Sequence, residues 1–534
     1  MPKIGAGGGG STPVTLVVAA SDSLDASRAD YQCDGVVDEV EIEQAIADLP
    51  AQGGVIQLLE GTFNISTPID ILKSNVVLRG QGRSTIIFLS NGSNCRMIII
   101  GDGATALTGV EVRDMELDGN SANNTGNCRG VYVWGGSGLY IDNLVIDGLY
   151  VHDTEDSCVY IYLARYATIS NNELGPTKSN GLYMSDFYDC RILNNYIHDS
   201  DQTGLLGIAD CNYNTIRDNT IDTPGTHGID LDEPNDCIVA NNHIRGNPTD
   251  GIGIFLHDQD SEPDNLGNTI IGNNIYDMWR GIYISTSTPN DRNLIIGNHI
   301  VKMRREGIYS GGDKCSIVDN FFFHVCMDAN NTYDAIYVSG DYNLIAQNYI
   351  HSRDIGNVPR YAINIAGGSY NSVEGNNLVY SRWATAPIND AGTVTYIDSD
   401  NEGITPDLIK EYRNVKNTSG GALAAGDVVV LKAVAAGNEV TTTVNQGDDK
   451  VYGMAAEAIA NGAYGYVQVK GKTTVLKVNG TVDIAIGDPL GTYTAAGIAM
   501  KAGAGDQAFA IALEAYTTDD SNGVIDAYIK SPWD

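Results

Sequence analysis

Positive charge is scarce in this chain. Lysines and arginines number 32 against 67 aspartates and glutamates in 534 residues, which gives a formal charge of −35 and a pI of about 4.3. So acidic a surface repels phosphate backbones and anionic bilayers, so neither nucleic acid nor a membrane is an expected partner. Long apolar runs are also missing. No stretch approaches the ~20 apolar residues that cross a bilayer. The opening Met1-Pro2-Lys3, followed by the glycine run from Gly5 to Gly10, lacks the apolar centre of a secretory signal. A protein of this kind that works outside a cell is expected to leave by another route. The nine cysteines are odd in number and include no C-x-x-C pair, which argues against a zinc site of that type and against a disulfide framework. Reduced, buried thiols are the simpler expectation. Phenylalanine is sparse, at 8 against 29 tyrosines, while glycine reaches 61. This describes a turn-rich β protein with a polar, tyrosine-bearing surface and not a helical bundle.

A chain of 534 residues exceeds the ~250–300 at which one compact core stops growing, so several domains or a repeat array is expected. From about residue 165 to 380 one pattern recurs nine times, centred on Asn172, Asn195, Asn219, Asn242, Asn273, Asn298, Asn320, Asn348 and Asn376. An aliphatic residue stands three before each centre, from Ile169 to Val373, and an apolar one two after, from Leu174 to Leu378. Five before each centre runs a second, mostly polar column, from Ala167 and Cys190 to Asn343 and Asn371. Small polar side chains stacked coil upon coil can hydrogen-bond along a ladder and tolerate the left-handed geometry of sharp corners. Such a column is structural, because a functional site is rarely repeated nine times. Coils of 22 to 31 residues suit a solenoid of three short strands per turn, about a dozen coils long. Residues 38–49 place Ile42, Ala45, Ile46 and Leu49 on one helical face before Pro50, as a cap for the open end. Val55-Ile56-Gln57-Leu58 is the first strand-like run.

Many coils carry a strand of the form Gly-aliphatic-x-aliphatic, such as Gly181-Leu182-Tyr183-Met184, Gly228-Ile229-Asp230-Leu231 and Gly251-Ile252-Gly253-Ile254. Period-two alternation turns the residue between the aliphatics outward. Read coil by coil, that outward column is Tyr132, Tyr160, Tyr183, Leu206, Asp230, Gly253, Tyr283, Tyr309, Tyr337 and Asn364: aromatic faces around a break of three coils. The next outward column begins Trp134, Tyr162, Ser185, Ile208, Asp232, Phe255. Asp230 and Asp232 therefore share one face in the middle of the break. Residues two apart on a strand lie ~6.5–7 Å apart, near the ~6.5–9.5 Å at which one carboxyl acts as acid while another activates water in inverting glycoside hydrolysis. Glu233, His227, His257 and Asp258 add titratable groups nearby. Tyr132, Trp134, Tyr160, Tyr162, Tyr183, Phe255 and Tyr283 are candidate carbohydrate contacts, through rings that stack on sugars and hydroxyls that hydrogen-bond. The alternative is that acidic proteins display carboxylates everywhere and that exposed tyrosines follow β-propensity or bury a subunit interface. Asp22, Asp25, Asp30, Asp34 and Asp38 near the start offer oxygen ligands for Ca²⁺, yet they show no EF-hand spacing and capping turns is the simpler role, so neither a metal nor a cofactor is expected.

The segments Cys33-Asp34-Gly35, Asp38 to Ile42, Gly53-Gly54-Val55, Glu60-Gly61-Thr62-Phe63 and Leu78-Arg79-Gly80-Gln81-Gly82 resemble the entry segment of the pectate-lyase superfamily, in its sugar-chain-acting and tailspike-like β-helices. The resemblance implies an all-β fold, a right-handed parallel β-helix over residues 14–400, following a flexible glycine-rich stretch 1–13. It implies no particular chemistry: the Asp-Pro-His of alginate epimerases, the Asp-Asp with Gly-His-Gly of polygalacturonases and the calcium-and-arginine set of pectate lyases are all absent. Beyond residue 405 the Asn ladder stops. Ala425-Gly426-Asp427, Val451 to Ala455, Val475 to Val478, Ile486 to Leu490 and Ala512 to Ala515 there resemble the small β-barrel-like capsid-cement (decoration) proteins of tailed phages. That resemblance implies a virion part, assembled in the host cytoplasm and docked on capsid or other virion proteins through residues 405–534. Intracellular assembly would fit the unpaired thiols. The expected function is a capsid decoration or spike that binds surface polysaccharide, as a homotrimer. The alternative is an extracellular polysaccharide hydrolase or lyase with Asp230 and Asp232 as its acids.

Overall fold

The computed structural model describes residues 14–257, 266–285, 292–351, 357–379, 383–404, 408–432, 439–521 and 523–530; the glycine-rich stretch 1–13 and Asp258 lie outside them. The fold is an all-β parallel solenoid followed by a separate sheet, and its one α-helix is Glu39–Asp48 among the described residues. No helix among them is long and apolar enough to cross a membrane. The chain divides into two compact units, residues 1–312 with 324–328 and residues 313–323 with 329–534.

In the first unit the helix buries Ile42, Ala45 and Ile46 as the spacing requires, with Leu49 buried just behind them. A strand not expected from the sequence, Thr15–Ala19, precedes the helix and pairs in parallel with Gly54–Leu58, Thr15 opposite Val55 and Val18 opposite Leu58. Its run Thr-Leu-Val-Val-Ala has no period-two alternation, the signal by which a half-buried strand is read. From Ile69–Ile71 to Ile308–Ser310, ten parallel strands stack in one column, with alternate aliphatics such as Ile161, Leu182, Ile229 and Ile282 fully buried.

Within each unit the Asn column is a buried hydrogen-bond ladder. Asn195 Nδ2 donates to Asn219 Oδ1 at 2.9 Å and to the Ile169 carbonyl at 3.0 Å, and its backbone N–H donates to the same Oδ1 at 2.9 Å. Asn219, Asn242 and Asn273 repeat the pattern toward Asn298. The second unit carries its own run from Asn320 through Asn348 and Asn376, and adds a rung beyond the repeat read from sequence, where Asn376 Nδ2 donates to Asn401 Oδ1 at 2.8 Å. One expectation needs correction. The left-handed residue is the one before each ladder position, not the ladder residue itself: Asn171, Asn194, Asp218, Asn241, Gly272 and Gly297 in the main column, and Tyr166, Asp189, Tyr213 and Asp236 in the second. A corner at that residue turns the next side chain inward, where it meets its counterpart on the following coil.

The glycines that open the strands are required by close approach. A Cβ on Gly228 would lie 2.4 Å from Ile244 Cγ2 and 2.6 Å from the Gly253 carbonyl oxygen. Gly228→Ala is therefore expected to cost about 1–3 kcal/mol through overpacking, measured by chemical denaturation; an unchanged midpoint would show that the coils yield at this corner.

In the second unit three parallel strands, Ile336–Val338, Tyr361–Ile365 and Ala386–Asp390, stack Ile336 on Ile363 on Ile388. A nine-stranded, largely antiparallel sheet follows from Glu411–Asn417 to Gly523–Ile529, threaded by the long strand Tyr464–Val478. It encloses two cores, one around Val428, Leu476, Leu490, Phe509 and Ile525, the other around Val415, Leu423, Val440, Ile459 and Val467. All nine cysteines are free thiols, and all but Cys95 are buried.

Candidate functional site

The site is set by register on the strands Leu205–Ile208, Ile229–Asp232, Ile252–His257 and Arg280–Ile284. The pairing of the last three is Asp230 opposite Phe255, Asp232 opposite His257, and Phe255 opposite Tyr283. This corrects the sequence reading, which aligned Gly251 with Gly228 and so placed Gly253 in the first outward column and Phe255 in the second. The strand is shifted by two: Gly253 takes the tight corner, where a Cβ would lie 2.5 Å from Ile275 Cγ2, and the outward residues become Phe255 and His257. The added residues lie in the preceding turn, where Asn247 Nδ2 donates to the Gly225 carbonyl at 2.7 Å and Asn247 Oδ1 accepts from the Thr249 N–H.

The outward column is therefore Tyr132, Tyr160, Tyr183, Leu206, Asp230, Phe255, Tyr283, Tyr309, and the aromatic break spans two coils, not three. Tyr160 and Tyr183 stack at 4.1 Å, and Phe255 and Tyr283 at 5.1 Å. Guanidinium groups cover several rings, Arg129 at 3.8 Å from Tyr160 and Arg96 at 4.1 Å from Tyr132. Ring faces in the ladder are thus occupied by one another and by arginines. Trp134 is different: at 42% exposure it is the open aromatic surface of the second column, beside the half-buried Tyr162 with which it is in register.

Asp230 and Asp232 lie on the opposite side of their strand from the buried Ile229 and Leu231, yet they are only 8% and 6% exposed. What covers them is an imidazole. His257 Nε2 lies 2.9 Å from Asp230 Oδ1, and its Nδ1 lies 3.2 Å from Asp232 Oδ1. The first contact is a hydrogen bond; the second has ion-pair distance without hydrogen-bond alignment, so Asp232 Oδ1 is a buried oxygen with no hydrogen-bond partner. Phe255 stacks on the His257 ring at 4.4 Å and holds it in place. Burial pushes the His257 pKa down, but the hydrogen bond to Asp230 and the charges of Asp230 and Asp232 outweigh it and raise the group to about 9. At neutral pH the ring is a cation bridging two carboxylates, in the space where an inverting pair would hold water.

His227 completes the cluster. Its Nδ1 accepts the Ile252 N–H at 3.2 Å, which leaves the proton of the neutral ring on Nε2, 4.0 Å from Asp230 Oδ2. Burial, with the His257 charge, outweighs the Asp230 attraction and lowers its pKa. One cationic and one neutral imidazole thus surround Asp230, a combination of proton donors and acceptors on a single face. Glu233 follows the strand in left-handed geometry and its N–H donates to the His257 carbonyl at 2.9 Å. The amino-terminal acids serve turns: Asp22 Oδ1 accepts the Thr62 N–H, Asp30 that of Val17, Asp34 that of Val36, and Asp38 those of Gly35 and Asn64, while Asp25 pairs with Arg28.

A family model described as "Right handed beta helix region" matches residues 71–206 and 129–293, so the solenoid is a right-handed β-helix. No curated protein matches the chain in sequence. Among solved structures it is similar to the A-module of the Azotobacter vinelandii mannuronan C-5 epimerase AlgE6, at 17% identity and TM-score 0.51 over 68% of this chain and 95% of that one. The AlgE4 A-module of the same organism gives 18% and 0.51 over 71% and 100%. The Dettilon tailspike protein gp208 gives 15% and 0.48 over 96% and 94%. At these identities the likeness is one of fold.

Proposed function

We propose that the protein binds a polysaccharide across the outer face of the sheet that carries Tyr132 to Tyr309, and engages it at Asp230, Asp232, His227 and His257. The observation that carries this reading is the break itself. From Tyr132 to Tyr309 the column otherwise carries rings and Leu206; here two buried carboxylates and two half-buried imidazoles are gathered on the outward face. A solenoid's repeated parts serve its stacking, and the unrepeated cluster is what remains for a ligand. Trp134 offers a ring for sugar stacking, and the tyrosine hydroxyls offer hydrogen bonds along the same face. We further propose that the carboxyl-terminal sheet fastens the solenoid to a virion, as a decoration or spike and as a homotrimer, a reading supported by the motifs between residues 425 and 515.

The test is a panel of acidic and neutral polysaccharides in affinity electrophoresis. At least one is expected to retard the protein, and Trp134→Ala is expected to weaken that retention about 3–10-fold, from the ~0.5–1.5 kcal/mol of an aromatic contact. A panel in which nothing binds removes the reading. A second reading, cleavage of the bound chain, is favoured by two carboxylates, Asp230 and Asp232, gathered with His227 and His257 on one outward face. It predicts new chain ends that disappear in Asp230→Asn and Asp232→Asn while retention persists.

A further inference from the structure

In the second unit the column of parallel strands ends at Ala386–Asp390, the last in the order of its sheet. Beyond a terminal coil the apolar interior of a solenoid is open and needs a cover. At the first coil the helix Glu39–Asp48 supplies one by burying Ile42, Ala45 and Ile46. No α-helix follows the last coil among the described residues, and residues of the strands Glu411–Asn417 and Tyr464–Val478 line the space instead. What they leave is a cavity of about 560 Å³, within the ~300–1,000 Å³ of small-molecule sites. Ile388, Val394 and Ile397 from the last coil and Met454 from the antiparallel sheet line it, all buried from bulk solvent.

The charges on these walls are already paired. Asp390 forms an ion pair with Lys410 and accepts the Gly392 N–H at 3.0 Å, and Lys472 lies 3.4 Å from Asp526. An ionic ligand would give up its water against apolar walls and find no free countercharge in return. Gln468 differs. It is 3% exposed, lines the cavity, and donates from Nε2 to the Lys470 and Lys472 carbonyls at 3.2 and 3.1 Å. Both amide hydrogens are thus committed to the strand's own carbonyls. Its Oε1 accepts nothing among the described residues and is not fully enclosed, so it is the group that Gln468 has left to offer the cavity. A buried acceptor of this kind calls for a donor, because leaving it unmade is costly. Tyr412 lines the cavity too, with a hydroxyl that makes no hydrogen bond among the described residues.

We propose that this cavity binds one uncharged, largely apolar small molecule bearing an N–H or O–H donor, which Gln468 Oε1 accepts. The apolar walls take the body of the ligand, and the single open acceptor fixes its orientation. The probe is N-phenyl-1-naphthylamine, an uncharged dye with two apolar ring systems and one N–H, titrated into the full chain and followed by its fluorescence. Its N-methyl derivative, which lacks the donor, is the comparison. One saturable equivalent of the parent dye is expected, with the N-methyl derivative bound about 3–10-fold more weakly, the worth of one neutral hydrogen bond. Gln468→Met keeps the length of the side chain without the acceptor and is expected to bind the two dyes alike. Ala456→Phe, which sets a ring in the cavity, is expected to abolish saturable binding. Circular dichroism of each variant separates loss of the site from loss of the fold, and the two dyes compared on the unaltered chain do not depend on any variant. Absence of saturable binding, equal affinity for both dyes on the unaltered chain, a preference for the parent dye that survives Gln468→Met, or binding unchanged in Ala456→Phe overturns the proposal.

Discussion

Asn242→Ala is expected to destabilise the first unit by about 3–5 kcal/mol. The side chain is fully buried. Its Oδ1 accepts both the backbone N–H and the Nδ2 of Asn219 at 3.0 Å, while its own Nδ2 donates to Asn273 Oδ1 and to the Ile216 carbonyl, each at 3.0 Å. Truncation leaves two donors of Asn219 unpaired beyond the reach of water, and each buried group left unsatisfied costs about 1–3 kcal/mol. Asn172 is the control. Its Oδ1 accepts only the Leu149 N–H, so Asn172→Ala orphans one donor and is expected to cost roughly half as much. Denaturant unfolding followed by circular dichroism measures both. Equal losses, or a loss below about 1 kcal/mol at Asn242, would show that the coils are held by apolar stacking alone.

Asp230→Asn is expected to be nearly as costly at pH 6 and much less so at pH 10. The folded state raises the His257 pKa from 6.5 to about 9, so the imidazolium's contribution is complete below the unfolded value and is lost as pH rises through the folded one. Removing the Asp230 charge leaves a buried cation with one imperfectly aligned partner, and breaking such a pair costs about 3–5 kcal/mol. Above pH 9 the ring is neutral in wild type and variant alike, and the difference closes. Denaturation curves at pH 6, 8 and 10 follow the trend. A penalty that is constant across this range would mean that His257 is not charged in the folded protein.

The ladder was legible because identical letters recur at one spacing and because nothing but stacking explains nine buried asparagines. The cap helix was legible from four apolar residues on one face. The centre of the candidate site was harder to read, for a physical reason. Asn195 to Gly204 and Asn219 to Gly228 are both nine residues, and the same count from Asn242 selects Gly251. The turn after Asn242 is two residues longer, and Gly253, not Gly251, packs on Ile275. Both glycines are followed by an aliphatic residue, so local pattern does not separate the frames, and only the three-dimensional fit at the corner does. That shift moved His257 from the edge of the candidate set to its hub. Likewise, the tyrosine column was visible in sequence, while the use of its ring faces by neighbouring rings and arginines was not, because Arg96 and Arg129 belong to other turns of the coil.

Hydrogen–deuterium exchange of the full chain, with and without the polysaccharide that binds most tightly, addresses the central claim that function resides where the outward ladder is interrupted. Slowed exchange in peptides spanning residues 227–232 and 252–257, together with those around Trp134, is the expected result. Protection confined to the carboxyl-terminal sheet, residues 411–529, with the Asp230 strand unchanged, would contradict it.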